Sequence, residues 1–205
     1  MKKLYAGRLI LQPSAVLRLR IFDRYAIHRI MQDLFHSDLV LGHVAATGDA
    51  PSGIQWADKG EHLAGRVIDF LANRRPECSV PEDVDLQCRE LPEDFLLHDR
   101  YRFQVELNPV RCVNRKRRVP VIGDQALRAW FLEKAERSGM RIEALTFDRI
   151  GKEWICKPNG KIPFNQARAS GILSVTDREL FAKVFESGFG KGRAFGFGFF
   201  QVAII

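Results

Sequence analysis

The 205-residue sequence contains no apolar run near the roughly 20 residues that a helix needs to cross a bilayer. Its basic start, residues 1–5, is followed by neither the long apolar stretch nor the small-residue cleavage site of a signal peptide. Both absences argue against a secreted or membrane-bound protein. The sequence therefore predicts a cytoplasmic protein without a membrane partner.

Cysteine is also scarce, and the few thiols lie far apart in the sequence. None of them forms a C-x-x-C pair, and the five histidines lack the spacing of zinc ligands. No paired-carboxylate motif indicates a Mg²⁺ site. We therefore expect no metal and no cofactor, and we expect reduced thiols at Cys78, Cys88, Cys112 and Cys156.

Negative charge is in the minority, because 32 Lys and Arg residues outnumber 25 Asp and Glu residues and give a formal net charge of +7. Residues 111–118 hold five cations and no acid, whereas residues 76–99 are acidic. This polarity favours an anionic partner, with nucleic acid the leading candidate, although a solvated basic surface explains the excess equally well. The five cations are Arg111, Arg115, Lys116, Arg117 and Arg118.

The apolar periodicity of the first half changes between strand-like and helix-like in the order β-α-β-β-α-β, which is typical of a ferredoxin-like domain. Asp23 is a candidate N-cap, because Ala26, Ile27, Ile30 and Met31 follow it at helical spacing. The predicted strands cover residues 4–11, 39–45, 54–57 and 84–91, and the predicted helices follow Asp23 and cover residues 62–73.

Residues 92–94 are the best candidate for a linker, which predicts domains at residues 1–95 and 96–205. The second half repeats the ferredoxin-like order around the basic hairpin. We therefore predict an α+β fold with two tandem ferredoxin-like (RRM-like) domains, each a four-stranded antiparallel sheet with helices on one face. In the second domain, Asp124 and Asp177 are the predicted helix caps, and the predicted strands cover residues 101–107, 145–150, 153–157, 171–175 and 197–205.

A glycine-rich segment, residues 188–200, lies between the last predicted helix and the last predicted strand. Glycine permits a positive φ and lets backbone N–H groups approach a ligand closely, and the two cations suit a polyanion such as RNA. A dinucleotide-binding loop does not fit, since that loop opens a helix after the first strand. The candidate RNA-binding residues of the segment are Gly188, Gly190, Lys191, Gly192, Arg193, Gly196 and Gly198.

On the first predicted helix, Tyr25 and His28 are three residues apart, so both side chains lie on one face. Packing at the edge of the core is the ordinary explanation of such a pair. The apolar face of this helix is already complete without His28, however, and Arg24 and Arg29 flank the pair as a phosphate-facing site requires. Tyr25 and His28 are therefore candidate catalytic residues, and Arg24 and Arg29 are candidate RNA-binding residues.

Four motifs follow one another along the chain. They are Y-x-x-H-x-x-φ-x-x-L-F from Tyr25, Tyr-Arg-Phe followed by Asn-Pro-Val, a basic hairpin that ends in Arg-Val-Pro-Val, and G-φ-G-x-x-x-x-x-G-φ-G from Gly188. Together they resemble the RAMP superfamily of CRISPR RNA-binding proteins, and specifically the repeat-RNA endoribonucleases of the CasE branch, associated with the type I-E Cascade complex. The resemblance spans nearly the whole chain and is weakest over residues 46–99.

The resemblance implies metal-independent cleavage of the repeat stem-loop of precursor CRISPR RNA, with that RNA and other Cascade subunits as partners. The substrate 2′-hydroxyl would attack the adjacent phosphate and leave a 2′,3′-cyclic phosphate and a 5′-hydroxyl. His28 matches the family's catalytic histidine, as base or acid, and Tyr25 matches the tyrosine one turn earlier. Lys161 matches, less closely, a hairpin cation near the scissile phosphate.

Other interpretations of the same features stay open. A non-catalytic RNA-binding RAMP subunit would share the folds and the glycine-rich segment but would not need His28 with Tyr25. A DNA-binding regulator is disfavoured, because no helix is rich in the cations and amides of a recognition helix. The basic hairpin would grip an RNA stem by its shape and phosphates, or it is a solvated turn. Trp56, Trp130 and Trp154 are expected in the core.

Overall fold

The computed structural model describes residues 3–36, 41, 53–113, 117–157 and 160–205. The chain forms two compact units. Unit 1 contains Met1–Glu93 together with two later segments, Ile155–Ile162 and Ala194–Gly196. Unit 2 contains the remainder, and the sequence-based domain boundary at residue 95 stays a prediction.

The first sheet belongs to unit 1 and has the strand order β2-β3-β1-β4. Strand β1 lies in its centre and pairs antiparallel with both β3 and β4. Buried apolar residues of β1, β3 and helix α2 form the core against this sheet. The elements are β1 (Tyr5–Leu11), α1 (Pro13–Arg18), α2 (Arg24–Asp33), β2 (Ile54–His62), β3 (Gly65–Ala72) and β4 (Val84–Glu90).

The helix expected at residues 62–73 is wrong, since this segment forms strand β3. Val67, Ile68, Phe70 and Leu71 are all buried, so side chains on both faces of β3 are covered. A short, nearly continuous apolar run does not distinguish a central strand from a buried helix. Unit 1 therefore keeps the ferredoxin-like strand order while residues 73–83 connect β3 to β4 without a helix. The strand expected at residues 39–45 lies outside the described residues, apart from Leu41.

The second sheet has the order β10-β5-β9-β8, and β5 pairs antiparallel with both β10 and β9. This order repeats that of the first sheet, so the predicted fold class of two tandem ferredoxin-like folds is confirmed. Strands β6 and β7 form a separate two-stranded hairpin. The elements are β5 (Arg100–Leu107), β6 (Val110–Val113), β7 (Arg117–Pro120), α3 (Asp124–Glu136), β8 (Met140–Lys157), β9 (Gly160–Val175), α4 (Arg178–Ser187) and β10 (Gln201–Ile204).

Several predicted boundaries of the second half are wrong. The strands expected at 145–150 and 153–157 form one strand, β8, in which Arg149 has a φ of 48° that marks an irregularity and not an end. The strand expected at 171–175 is the end of the longer β9, and the one expected at 197–205 is limited to β10. Gly123 occupies the cap position expected for Asp124, whereas Asp23 and Asp177 cap their helices as predicted.

Candidate functional site

Helix α2 presents the candidate catalytic pair at the surface of unit 1. The Asp23 carboxylate accepts a hydrogen bond from the Ala26 N–H at 2.9 Å and so fixes where the helix begins. Ile27, Ile30 and Met31 are buried, which holds one face of the helix in the core. The opposite face carries Tyr25 and His28, both half-buried, and the exposed Arg29.

The imidazole of His28 lies near two aromatic rings. Its centroid is 6.4 Å from that of Tyr25 and 5.5 Å from that of Phe195, which follows it by 167 positions (195 − 28). Both contacts are tilted, at 46° and 55°. A histidine that is half-buried and held between rings keeps a defined orientation, and a proton-transfer group needs this.

The segment Ala194–Gly196 contacts the rest of unit 1 at three points. Arg24 donates from Nη1 to the Phe195 carbonyl at 3.1 Å, His28 contacts the Phe195 ring, and Trp56 packs where Gly196 has no side chain. Arg24 was expected to face RNA, but the structure buries it to 4% exposure. The Phe195 carbonyl supplies an acceptor inside the protein, which a buried guanidinium requires.

Gly196 is required at its position by both geometry and space. Its φ is +77°, which other residues rarely adopt. A Cβ there would lie 2.6 Å from Cε3 of Trp56, which is 2% exposed. The structure therefore uses Gly196 for packing beside the candidate site.

Lys161 is exposed on strand β9 and belongs to the segment Ile155–Ile162 of unit 1. It follows directly after Gly160, where the described chain resumes after residues 158 and 159. The structure thus assigns Lys161 to the same unit as Tyr25 and His28. Its role near a scissile phosphate stays a prediction.

The earlier part of the glycine-rich segment belongs to unit 2. The Phe189 N–H donates to the Gly198 carbonyl at 2.7 Å, and the Gly198 N–H donates to the Glu106 carbonyl at 2.6 Å. Lys191 forms a β-bridge with Asn108. These bonds close the segment into a loop against the end of β5. All five predicted glycines have a positive φ: Gly188, Gly190, Gly192, Gly196 and Gly198.

The glycines of this segment differ in how much of their backbone is exposed. Gly196 and Gly198 are buried, whereas Gly188, Gly190 and Gly192 are partly exposed. A Cβ at Gly190 would meet only Cε of Lys134, at 3.9 Å. An approach of RNA to the backbone is therefore open at Gly190 and closed at Gly196 and Gly198.

Lys134, on α3, is a functional candidate that no sequence motif indicated. Its Nζ lies 5.1 Å from the centroid of the Phe189 ring. Burial lowers the pKa of Lys134 first, and the nearby positive charges of Lys191, Arg137 and Arg193 lower the pKa further. An anion bound beside these positive charges would stabilise the protonated form of Lys134.

The hairpin of β6 and β7 exposes Arg111, Arg117 and Arg118. Arg111 pairs with Val119 and Val113 pairs with Arg117, whereas Arg118 pairs with Cys112. Because side chains alternate between faces along a strand, Arg111 and Arg117 share one face of the hairpin and Arg118 lies on the other. Arg115 and Lys116 lie outside the described residues.

The remaining sequence-based expectations concern the cysteines, the tryptophans, metal ions and membrane spans. The cysteines Cys78, Cys88, Cys112 and Cys156 are free thiols, and burial raises the pKa of Cys78 to about 11. Trp56 and Trp130 are buried as expected, but Trp154 is 57% exposed. In the described part of the chain no three His, Cys, Asp or Glu side chains are grouped to hold a metal ion. None of the helices that the structure describes has the length and apolar character to cross a membrane.

Comparison with known proteins gives a family and a fold. The family model described as "CRISPR associated protein" matches residues 4–203. Thermus thermophilus Cse3, solved with an RNA that represents a pre-cleavage complex, superposes with a TM-score of 0.80 at 18% identity over 98% of this chain and 99% of that one. Escherichia coli Cas6e superposes with a TM-score of 0.72 at 15% identity, over 98% of this chain and 100% of that one. No curated protein matches the sequence.

A further similar structure is a chain of a CRISPR RNA-guided surveillance complex in its pre-nicking state. It superposes with a TM-score of 0.70 at 17% identity, over 98% of this chain and 100% of that one. These likenesses confirm the tandem ferredoxin-like fold over almost the full length of the chain.

Proposed function

Since the chain belongs to the family of CRISPR associated proteins, we propose that it is an endoribonuclease that cuts the repeat stem-loop of precursor CRISPR RNA. The main support is the position of His28 at the surface of unit 1, where its ring lies near those of Tyr25 and Phe195. A subunit that only binds RNA has no need for an imidazole fixed in this way. The RNA-bound state of the similar Thermus Cse3 structure supports the same substrate class.

The proposed reaction uses the RNA's own 2′-hydroxyl as the nucleophile. The 2′-oxygen forms a bond to the adjacent phosphorus and its proton passes to a base, while the bond from phosphorus to the 5′-oxygen breaks. The leaving oxygen takes a proton, so that the products are a 2′,3′-cyclic phosphate and a 5′-hydroxyl. His28 performs one of the two proton transfers, since the ordinary pKa of an imidazole is about 6.5 and suits either at neutral pH.

Tyr25 and Lys161 complete the proposed site. The Tyr25 hydroxyl, one helical turn from His28, orients the nucleophile or supports the phosphorane. Lys161 stabilises the negative charge that develops on the phosphorane oxygens. This reaction requires no metal ion, because His28 carries out one proton transfer, solvent water carries out the other, and Lys161 stabilises the developing charge.

RNA binding is assigned mainly to unit 2. Arg111, Arg117 and Arg118 are exposed on the hairpin and contact phosphates of the stem, which proteins recognise by shape and backbone. The exposed backbone around Gly190 and the cations Lys134 and Lys191 form a second phosphate-binding surface. The substrate is an intracellular transcript, which places the protein in the cytoplasm.

Association with other subunits is part of the proposal. The similar chain in a surveillance complex supports a place for this protein in a Cascade-like assembly. The protein would then stay bound to the repeat hairpin of the mature RNA. We also propose the division of the chain into domains at residues 1–95 and 96–205.

The proposal is tested with a labelled repeat hairpin and purified protein in excess EDTA. We expect a single cut, a 2′,3′-cyclic phosphate and a 5′-hydroxyl. A single 2′-deoxy substitution at the nucleotide before the cut should abolish cleavage while binding persists. Cleavage of the deoxy substrate would contradict the 2′-hydroxyl mechanism, and tight binding without any cut would favour the non-catalytic RNA-binding subunit.

A further inference from the structure

A cavity of about 420 Å³ lies beside the candidate catalytic pair, between α1, the turn that follows it, and α2. Small-ligand sites in proteins have volumes of about 300–1,000 Å³, so the cavity is large enough for a nucleotide. All of its lining residues belong to unit 1. Those that bear on its chemistry are Arg18, Arg20, Phe22, Tyr25, Arg29 and Asp33.

Tyr25 is shared between this cavity and the catalytic pair. Successive residues of an α-helix are about 100° apart around its axis, which puts Arg29 about 40° from Tyr25 on one side and His28 about 60° on the other. Arg29 lines the cavity, and the His28 ring lies 6.4 Å from that of Tyr25. A molecule in the cavity is therefore next to the site of proton transfer.

The turn between the two helices places an aromatic ring in solvent. Arg20 has a φ of 53°, which is unusual for any residue but glycine, and Phe22, two residues after it, is 72% exposed. The turn is nevertheless well fixed, because Ile21 is buried and its carbonyl accepts a hydrogen bond from Nη1 of Arg66 at 3.2 Å. Residues with such backbone angles cluster at ligand sites and active sites.

The charges around the cavity favour an anion with an aromatic group. Two of the arginines, Arg20 and Arg29, are exposed, and Arg18 forms an ion pair with Asp83. Of the two carboxylates that line the cavity, that of Asp23 caps α2 and that of Asp33 is buried, at 2% exposure. Exposed guanidinium groups beside aromatic rings are the means by which proteins bind unpaired nucleotides, by phosphate contacts and base stacking.

We propose that this cavity binds one unpaired RNA nucleotide next to the phosphate that is cut. Its base stacks on Phe22 and Tyr25, and its phosphate contacts Arg20 and Arg29. The inference rests on the proposed function, since it requires RNA to pass along α2. A nucleotide held here fixes the distance of the reacting phosphate from His28 and so contributes to the choice of the cut site.

The test compares repeat hairpins with and without unpaired flanking nucleotides. The RNAs carry 2′-deoxy sugars at the base of the stem and in the flanks so that they are not cut, and dissociation constants are measured by titration. The wild-type protein should bind the flanked hairpin about fivefold or more tightly than the bare one, which corresponds to stacking of one base. Phe22→Ala should lose this difference, whereas Leu63→Ala, at an exposed apolar residue outside the cavity, should retain it.

An abasic substitution, moved along the flanks one position at a time, identifies the bound nucleotide. At the position of the bound nucleotide, the abasic substitution should weaken binding by the wild-type protein as much as Phe22→Ala does. It should not weaken binding by the Phe22→Ala protein any further. Equal affinity for flanked and bare hairpins, or independent losses from Phe22→Ala and the abasic site, would overturn the proposal. Because these RNAs are not cut, a protein that proves to be non-catalytic still gives a decisive result for the cavity.

Discussion

At the scale of single residues, His28 depends on the distant residue Phe195 and on the side chains that hold Phe195 in place. Phe195 contacts its ring, and Arg24 and Trp56 hold the turn that carries Phe195. These three residues touch no reacting atom in the proposed mechanism, so we regard them as positioning residues. Their effect on activity should therefore pass through the geometry of His28.

Gly196→Ala tests this support. The added Cβ would overlap the buried Trp56 ring, and the residue would keep a φ of +77°. Gly60→Ala is a matched control, because Gly60 has a φ of +82° and open space around its Cβ position. We expect Gly196→Ala to unfold at a lower urea concentration than Gly60→Ala, with a free energy of unfolding that is about 1–3 kcal/mol lower. Gly196→Ala should also cleave RNA more slowly. Equal destabilisation by the two substitutions would show that Trp56 adjusts freely.

Lys134 gives a prediction on pH. Its lowered pKa means that it loses its proton at a lower pH than an ordinary lysine. Below that pKa the protonated Lys134 attracts phosphate, and as the pH rises through it the attraction disappears. RNA affinity of the wild-type protein should therefore fall at alkaline pH before that of Lys134→Arg, whose guanidinium stays charged. Parallel affinity–pH curves for the two proteins would remove Lys134 from the binding surface.

The sequence predicted only part of the site at this scale. Tyr25 and His28 share a helix, so their spacing alone placed them on one face. Phe195 meets His28, and Trp56 meets Gly196, through tertiary packing, for which a single sequence carries no periodic signal. The burial of Arg24 beside the Phe195 carbonyl has no mark in the sequence either.

At the scale of elements, the sequence predicts strands well where buried and exposed residues alternate and poorly where burial is nearly continuous. Strand β5 begins with such an alternation, and its predicted bounds agree with the structure within one residue. Strand β3 is buried along most of its length on both faces, and its nearly continuous apolar run resembles that of a buried helix. The glycine-rich segment was located correctly, but its division into an exposed part and a buried part depends on contacts with Trp56 and β5.

The β6–β7 hairpin should control affinity and not the chemical step. Neutralising Arg111, Arg117 and Arg118 together should weaken RNA binding. The slope of log affinity against log salt concentration should become smaller by about 0.7–0.9 for each phosphate that the hairpin no longer binds. Cleavage at saturating protein should change little. Neutralising Arg89, Arg141 and Lys183, which lie outside the hairpin, is the control for net charge. The same salt slope in both triple variants would show that the hairpin is only a solvated turn.

At the scale of the whole molecule, the two sheets have the same strand order, and we propose different roles for the two units. Unit 1 carries the proposed catalytic residues on its second helix, α2, and on β9, and unit 2 carries most of the proposed RNA-binding cations. The segments Ile155–Ile162 and Ala194–Gly196 come from the second half of the chain but belong to unit 1. They bring Lys161 and Phe195 into the unit that contains His28.

The proposed proton transfer by His28 can be measured by single-turnover cleavage of RNA with His28→Ala. At saturating protein, the rate should fall by about 100-fold or more, the usual contribution of a general acid or base, with unchanged affinity for the uncut hairpin. His62→Ala, an exposed histidine on β2, should cleave at the wild-type rate. A His28→Ala protein that cleaves at a near wild-type rate would contradict the account and place the active site elsewhere.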